Sequence, residues 1–381
     1  MRFFDYILRQ LLLSFLFSAA GMVFIAMPGI AVKAVHVLGG AGTLWVLKFV
    51  PMMVAVFVPY VLPVALLLAL VSTYGRLAAQ NEWTAMRMAG INPYRMVLPA
   101  ALLALGAGAG VYSLNAELLP RIKVWEKTYQ LEVLKTALKN LSPGKTDLQL
   151  GEFYLSSAMR HPDDPEVFYD CFIELPPEEG QEPQSFIAEA VRFQFDEAFM
   201  TVFLYGAQGT TDNVEAKVES TAFTVSIDEL AGDTRRHNFN SPRYQTSGQL
   251  LRILDHLDLD QLYMTTWMRA QGITPTEAHL ETWNRPRRRL WYTWHQRIAN
   301  GATCLMFVLV GVSTGLMLRK GTQLSALAVA VGYAMVYWIA SLRLGKQLAQ
   351  SGVIEPWVGA WGPLVLFTLV GAWMTHRAFS E

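Results

Sequence analysis

The sequence predicts an α-helical membrane protein with six transmembrane helices and an inserted antiparallel β domain of jelly-roll-like character. Three observations carry this prediction. Of 381 residues, 52% are apolar and 16% charged, against roughly 25% charged in soluble domains. Six stretches, residues 10–32, 49–75, 96–116, 298–318, 321–342 and 356–376, hold no Asp, Glu, Lys or Arg over at least 21 residues each. That length crosses a hydrocarbon core of about 30 Å. Between Glu117 and Arg297 the longest such window, 198–211, has only fourteen residues and contains Gln208, Thr210 and Thr211. It is too short and too polar to span, so the middle of the chain is expected in water.

Arg2 and Arg9 precede the first apolar run in the manner of a secretory signal, but the run exceeds the roughly 7–15 residues of a signal's apolar region and lacks an A-x-A ending. It reads as an uncleaved anchor. The second run contains Pro51, Pro59 and Pro63, each deleting a backbone donor, so a bent or broken helix is expected there. Lys and Arg in the termini and short loops set the orientation. Arg2, Arg9, Arg76, Arg87, Arg95, Arg319, Lys320 and Arg377 fall on one side, and Lys33, Lys48, Arg343 and Lys346 on the other. Both termini are therefore expected in the cytoplasm and the central domain outside, which separates Cys171 from Cys304 and excludes a disulfide between them.

The connection between the second and third runs, YGRLAAQNEWTAMRMAGINPYRM (Tyr74 to Met96), is longer than a reversal needs. Ala79, Trp83, Met86 and Gly90 recur on one helical stripe, and Gly90 with Asn92-Pro93 supplies a stop. A surface helix over 76–90 that docks a partner is expected.

After the third run, Arg121 to Leu141 keeps helical spacing. Beyond Pro143-Gly144 the segments LQLGEFYLSS, EVFYDCFIEL, SFIAEAVRFQF, FMTVFLYGA and KVESTAFTVSI alternate apolar and polar residues, with turn residues such as Pro176-Pro177 and Gly180 between some of them. This predicts five or more strands in an antiparallel sandwich or jelly roll. GQLLRILDHLDLDQLYMTTWM, starting at Gly248, returns as a helix. Arg285, Arg287, Arg288, Arg289 and Arg297 crowd the outer entry to the fourth run. Two readings stay open: a translocated domain escapes the charge rule, or these arginines join Lys33 and Lys48 in a basic rim for an anionic lipid headgroup. Trp291, Tyr292, Trp294, Trp357 and Trp361 fit an interfacial aromatic belt.

Motifs of chemistry are weak. Gly144-Lys145-Thr146 lacks the earlier glycine of a phosphate loop, with Lys139 in its place. Gly311-Val312-Ser313-Thr314-Gly315 matches G-x-S-x-G but lies inside an apolar run with no partner His except the terminal His376, so close helix packing is its reading, as for Gly106 and Gly110. With no H-E-x-x-H and no Cys/His cluster, no cofactor or metal is expected. No nucleic-acid partner is expected either.

The opening YILRQLLLSFL, the segment YGRLAAQNEWTAMRMAGINPYRM, LNAELLPRIK, HQRIANGATCLMFVLVGVSTGL and GVIEPWVGAWGPLVLF resemble the LptF/LptG permease family, over nearly the whole chain. The resemblance implies a non-catalytic subunit of the exporter that extracts lipopolysaccharide from the bacterial inner membrane. It implies pairing with a second LptF/LptG-type subunit, an LptB-like ATPase dimer, and LptC- or LptA-like bridge proteins that receive the lipid by strand addition. Family members place an acidic residue of a coupling helix in a groove of the ATPase; here that position is Glu82, with Trp83, Met86, Arg87 and Gly90 completing the contact. The resemblance further implies that the first and fifth spans line the lipid cavity, with Lys33, and by the basic-rim reading Lys48 and Arg297, facing lipid phosphates. Gln80-Asn81 departs from the family, which often carries a charge there. The expected domains are 1–120, with spans one to three and the coupling helix; 121–290, the periplasmic β domain; and 291–381, with spans four to six. Two other classes remain as alternatives: an intramembrane serine hydrolase built on Ser313, which a fluorophosphonate probe would label, and a membrane-anchored adaptor, which would not co-purify with an ABC ATPase.

Overall fold

In a computed structural model of the chain, residues 2–38, 43–139, 146–150, 153–161, 164, 167–175, 184–195, 199–211, 214–226, 242–270, 277–317 and 323–380 are described. The expected turns at Pro176-Pro177 and Gly180 lie outside these residues, as do Gly144, Lys145, Arg319 and Lys320. The chain divides into two compact units: residues 1–25, 57–120 and 245–381, and residues 26–56 and 121–244. This grouping differs from the expected boundaries at two places. Residues 26–56 of the first two spans group with the β region, and residues 245–290 group with the helical unit.

Among the described residues six helices are long and apolar enough to cross a membrane. They belong to α1 (Arg2–Val37), α2 (Thr43–Ala79), α4 (Pro93–Ser113), α7 (Glu277–Met317), α8 (Gln323–Trp338) and α10 (Pro356–Ser380). Short helices α3 (Glu82–Met88) and α9 (Lys346–Gln350), with α5 (Leu119–Lys139) and α6 (Ser247–Ala270), complete the described set. All three prolines of the second run sit within the single helix α2.

Two π-helical stretches interrupt the spans. Leu114–Leu118 joins α4 to α5 just before Pro120. A proline lacks the N–H that its i−4 carbonyl needs, and a wider turn redistributes the acceptors. Asn115 donates its side-chain amide to the Val111 carbonyl at 2.9 Å. Ile339–Gly345 joins α8 to α9. There the Ser341 carbonyl accepts a hydrogen bond from Tyr292 at 2.9 Å. Tyr292 is fully buried, which corrects its assignment to the aromatic belt; Trp357 remains exposed.

The helical unit is closed by small residues. A Cβ added to Gly301 of α7 would stand 2.8 Å from the Gly108 carbonyl oxygen of α4, and one added to Gly315 would stand 2.9 Å from the Val71 carbonyl of α2. The close-packing reading of Gly311 and Gly315 therefore holds. Gly106 and Gly110 have nothing within 4 Å, and the residue that meets α7 is Gly108. A G-x-x-x-G spacing shows that small residues share a stripe, but not which stripe faces the neighbour.

The strands are β1 (Thr146–Leu150), β2 (Phe153–Arg160), β3 (Val167–Leu175), β4 (Gln184–Phe195), β5 (Phe199–Thr211) and β6 (Val214–Ser226). Each pairs antiparallel with the next in one sheet of order β1-β2-β3-β4-β5-β6. The inserted antiparallel domain is present as expected; among the described strands its order is an up-and-down meander. LQLGEFYLSS, read as one strand, divides between β1, which ends at Leu150, and β2, which begins at Phe153.

A crease crosses this sheet. Asp170 in β3 (φ 49°) and Gly206 in β5 (φ 62°) adopt left-handed backbone, and the side-chain alternation shifts there. Phe168 and Cys171, three apart, are both buried, as are Leu204 and Ala207. In an undistorted strand, residues three apart face opposite sides. Gly206 is suited to the crease because a Cβ there would be 2.7 Å from the Glu189 side chain of the neighbouring strand.

Candidate coupling site

The segment between α2 and α4 does not form one helix over 76–90. α2 ends at Ala79, Asn81 takes a left-handed conformation (φ 58°), and α3 begins at Glu82. Asn tolerates this region better than most residues, because its short amide bonds locally. α3 then stops in a Schellman arrangement. The Ile91 amide reaches the Met86 carbonyl at 3.1 Å, the Gly90 amide reaches the Arg87 carbonyl at 2.9 Å, and Gly90 has φ 80°. The Asn92 side chain accepts from the Tyr94 amide at 2.9 Å and Pro93 opens α4. This is a strong start, since Asn fills an orphan donor and Pro needs none.

α3 is seated by Trp83. Its side chain is 5% exposed, within an apolar cluster that includes Ile7, Leu11, Leu70, Tyr74, Leu77, Met96 and Leu316. Its ring stands edge-on to Tyr74 at 6.1 Å and tilted against Phe379 at 5.8 Å. Tyr94 meets Phe379 from another side at 5.3 Å. Arg87 donates to the Phe379 carbonyl at 3.1 Å. Tyr6 of α1 donates to the Glu82 carboxylate, 3.1 Å from Oε2 and 3.4 Å from Oε1. A cavity of about 440 Å³ lies beside the helix, lined by Trp83, Thr84, Arg87, Met88, Leu316 and Ala378 among others.

Of the residues expected to dock a partner, Glu82 is half-buried, Trp83 buried, Met86 packed at the cluster edge, and Arg87 and Gly90 exposed. The structure brings four of the five into α3 and the fifth, Gly90, into its C-terminal stop. Tyr6, Phe379 and Ala378 were not expected in it. They come from the far ends of the chain, and no local pattern marks them.

The residues expected to meet lipid phosphate are distributed differently. Lys33 and Lys48 are exposed, with the Lys48 ammonium 5.9 Å over the Trp45 ring. They belong to the unit that carries the sheet, whereas Arg297 belongs to the helical unit. Arg297 is 6% exposed and donates to the Ser247 hydroxyl at 3.1 Å and the Gln245 carbonyl at 2.7 Å, so it anchors the start of α6. Three arginines of the neighbouring run also have acidic partners. Arg285 and Arg288 pair with Glu281 at 3.7 and 2.7 Å, and Arg287 pairs with Asp258 at 3.1 Å.

Ser313 is fully buried and turns its hydroxyl to the Leu309 carbonyl of its own helix at 2.7 Å. A hydroxyl held in this way satisfies its own helix and presents no nucleophile to a cleft. Among the described residues no group of three or more His, Cys, Asp or Glu could hold a metal ion.

No curated protein matches the sequence. The family described as lipopolysaccharide export system permease LptF/LptG matches residues 5–377. Six apolar helices, an inserted antiparallel sheet and a match over essentially the whole length lead to one conclusion: the chain belongs to the LptF/LptG family of lipopolysaccharide export permeases, multi-pass inner-membrane transport subunits without a catalytic centre of their own.

Proposed function

We propose that this permease subunit converts the closure of an LptB-like ATPase dimer into movement of its spans through α3, with Glu82 as the docking carboxylate. On this reading both termini and α3 face the cytoplasm and the β domain faces the periplasm. A second LptF/LptG-type subunit completes the lipid path, and LptC- or LptA-like bridge proteins receive the lipopolysaccharide. The observation that supports the reading most is the seating of Trp83. The side chain next to Glu82 is buried in a cluster contributed by α1, α2, α4, α7 and α10, so a push on α3 is delivered into packed side chains and is not lost in a slack loop. Left-handed residues on either side of it set α3 off as a short element with a tight bend at each end.

The test is to replace Glu82 with Ala or Arg and pull down the ATPase from membranes. The variants are expected to insert and fold while losing ATPase binding by at least about tenfold, the scale of losing one charge-assisted contact. Normal pull-down together with full lipid export would discard the reading. Lys33 and Lys48 are proposed as contacts for the lipid phosphates. Arg297 would serve there only by giving up its bonds to Ser247 and Gln245. Charge reversal of Lys33 and Arg297 is expected to lower photo-crosslinking of lipopolysaccharide, and unchanged crosslinking would remove both from the lipid path.

A further inference from the structure

We propose that Tyr6 is the positioning residue for the Glu82 carboxylate and the link through which α3 moves α1. The inference rests on the coupling role of Glu82 and goes beyond it, since neither the sequence pattern nor the family match gives Tyr6 a role.

The phenol oxygen of Tyr6 lies 3.1 Å from Oε2 and 3.4 Å from Oε1 of a residue 76 positions away. A tyrosine hydroxyl suits this task chemically. It is a neutral donor, so it fixes the carboxylate's orientation without cancelling its charge. It also occupies one of roughly four acceptor positions that a carboxylate offers. A lysine or arginine in its place would form an ion pair that an incoming cation must displace. With Tyr6 the carboxylate is oriented in advance and still free to accept from a partner.

The packing around Tyr6 turns orientation into transmission. The next residue, Ile7, and Leu11 one turn on are fully buried in the cluster that holds Trp83. α3 therefore grips the base of α1 at a polar point and at an apolar one. Along its most apolar window α1 is largely bare: 6% of that window is buried, against 72% for that of α7. On its other flank α3 is braced by α10, through Arg87 on the Phe379 carbonyl and Trp83 against the Phe379 ring. α10 in turn locks onto α7, where Thr375 donates to the Leu309 carbonyl at 3.0 Å and a Cβ on Gly371 would meet Leu309 at 3.0 Å. A helix held between a packed block and a loosely packed span moves the loose one when pushed.

The test uses Tyr6→Phe in the full transporter, reconstituted in vesicles with its partner subunit and ATPase, with ATP hydrolysis and lipopolysaccharide release measured separately. Lipid released per ATP hydrolysed is expected to fall about fivefold, the scale of a part-exposed hydrogen bond to a charged group, while ATP hydrolysis falls less. A purely structural Tyr6 would lower both together, and an unchanged ratio overturns the proposal. A second measurement leaves Tyr6 in place: spin labels at exposed Phe17 and Met88 report the separation of α1 and α3. Tied elements keep it within about 2 Å between nucleotide-free and ATP-trapped states, and a change of about one helical turn, roughly 5 Å, overturns the link. Glu82→Ala separates the two ideas. If it binds the ATPase normally, the coupling reading fails. If it loses binding while Tyr6→Phe keeps its ratio, only the Tyr6 link fails.

Discussion

α1 and α7 are both apolar enough to cross a bilayer, with mean hydropathies of 2.1 and 1.6, yet they are packed in opposite ways. The less apolar one, α7, is the hub. Its Gly301 and Gly315 admit α4 and α2 to backbone distance, Gly311 makes room for the Leu67 and Leu70 side chains of α2, and Cys304, Phe307 and Val312 are fully buried. Along α1, Leu13, Leu16, Phe17, Phe24 and Ile25 are exposed. In water such a helix would be a defect; in a membrane lipid tails solvate it as well as Leu does, so only shape and hydrogen bonds hold helices together. The comparison teaches that hydropathy finds spans, whereas small residues find the ones that bear the packing.

The largest expected effect tests that statement directly. Gly301→Leu places side-chain atoms against the Gly108 backbone, which cannot yield. It should cost at least about 3 kcal/mol, seen as a lowered Tm of the purified protein or as loss of folded protein. Its counterpart Gly21→Leu on α1, where nothing lies within 4 Å, should change Tm by no more than the roughly 1 kcal/mol of helix propensity. Equal losses in the two variants would break the comparison.

Next in size is the seat of α3. Trp83→Ala empties a nearly buried site and should destabilise the segment by about 3–5 kcal/mol, read as faster amide exchange in α3. Phe17→Ala, on a side chain that is 77% exposed, should leave exchange there unchanged.

The sequence shows the spans because charges are excluded from a bilayer core, and that exclusion is local information. It shows the strands in the same way, through alternation. Tyr6 and Phe379 were not legible as parts of the site, because they reach α3 from 76 and 292 residues away along the pairs Tyr6–Glu82 and Arg87–Phe379. The break at Asn81 was hidden as well. The stripe Ala79, Trp83, Met86 and Gly90 has helical spacing whether or not one residue between them turns left-handed, and Asn is only a weak sign of that turn. The basic run at 285–289 is read for its charge alone, while its partners are Glu281, earlier on the same helix, and Asp258 on α6. Choosing Gly106 and Gly110 over Gly108 was an error of helical face, which only the position of α7 could decide.

The smallest expected effect belongs to the sheet and serves as a reference outside the helical unit. Burial, reinforced by Asp170 and opposed by a bond to Ser157, pushes the Cys171 thiol up from 9.0 to about 11. A thiol raised in the folded state contributes stability that is fully present below pH 9. That contribution is lost between pH 9 and 11, where the unfolded chain ionises first. Melting followed by strand circular dichroism should therefore decline over that interval, and Cys171→Ala should remove the decline. Alkylation of Cys171 at pH 8, mapped by mass spectrometry, should be at least about tenfold slower than that of a free thiol.

The left-handed residues at either end of α3 also set a rule for insertion and deletion. One residue added within Glu82–Met88 turns everything beyond it by about 100° and lifts it by about 1.5 Å. Neither end can unwind to absorb the change, because Asn81 and Gly90 already commit their backbone to a tight bend. Trp83 and the Schellman stop at Gly90 would then fall out of phase. The seven-residue length of α3 is thus fixed as firmly as any side chain in it. Among related sequences that share this seat, exchanges of residue should be common here and changes of spacing rare.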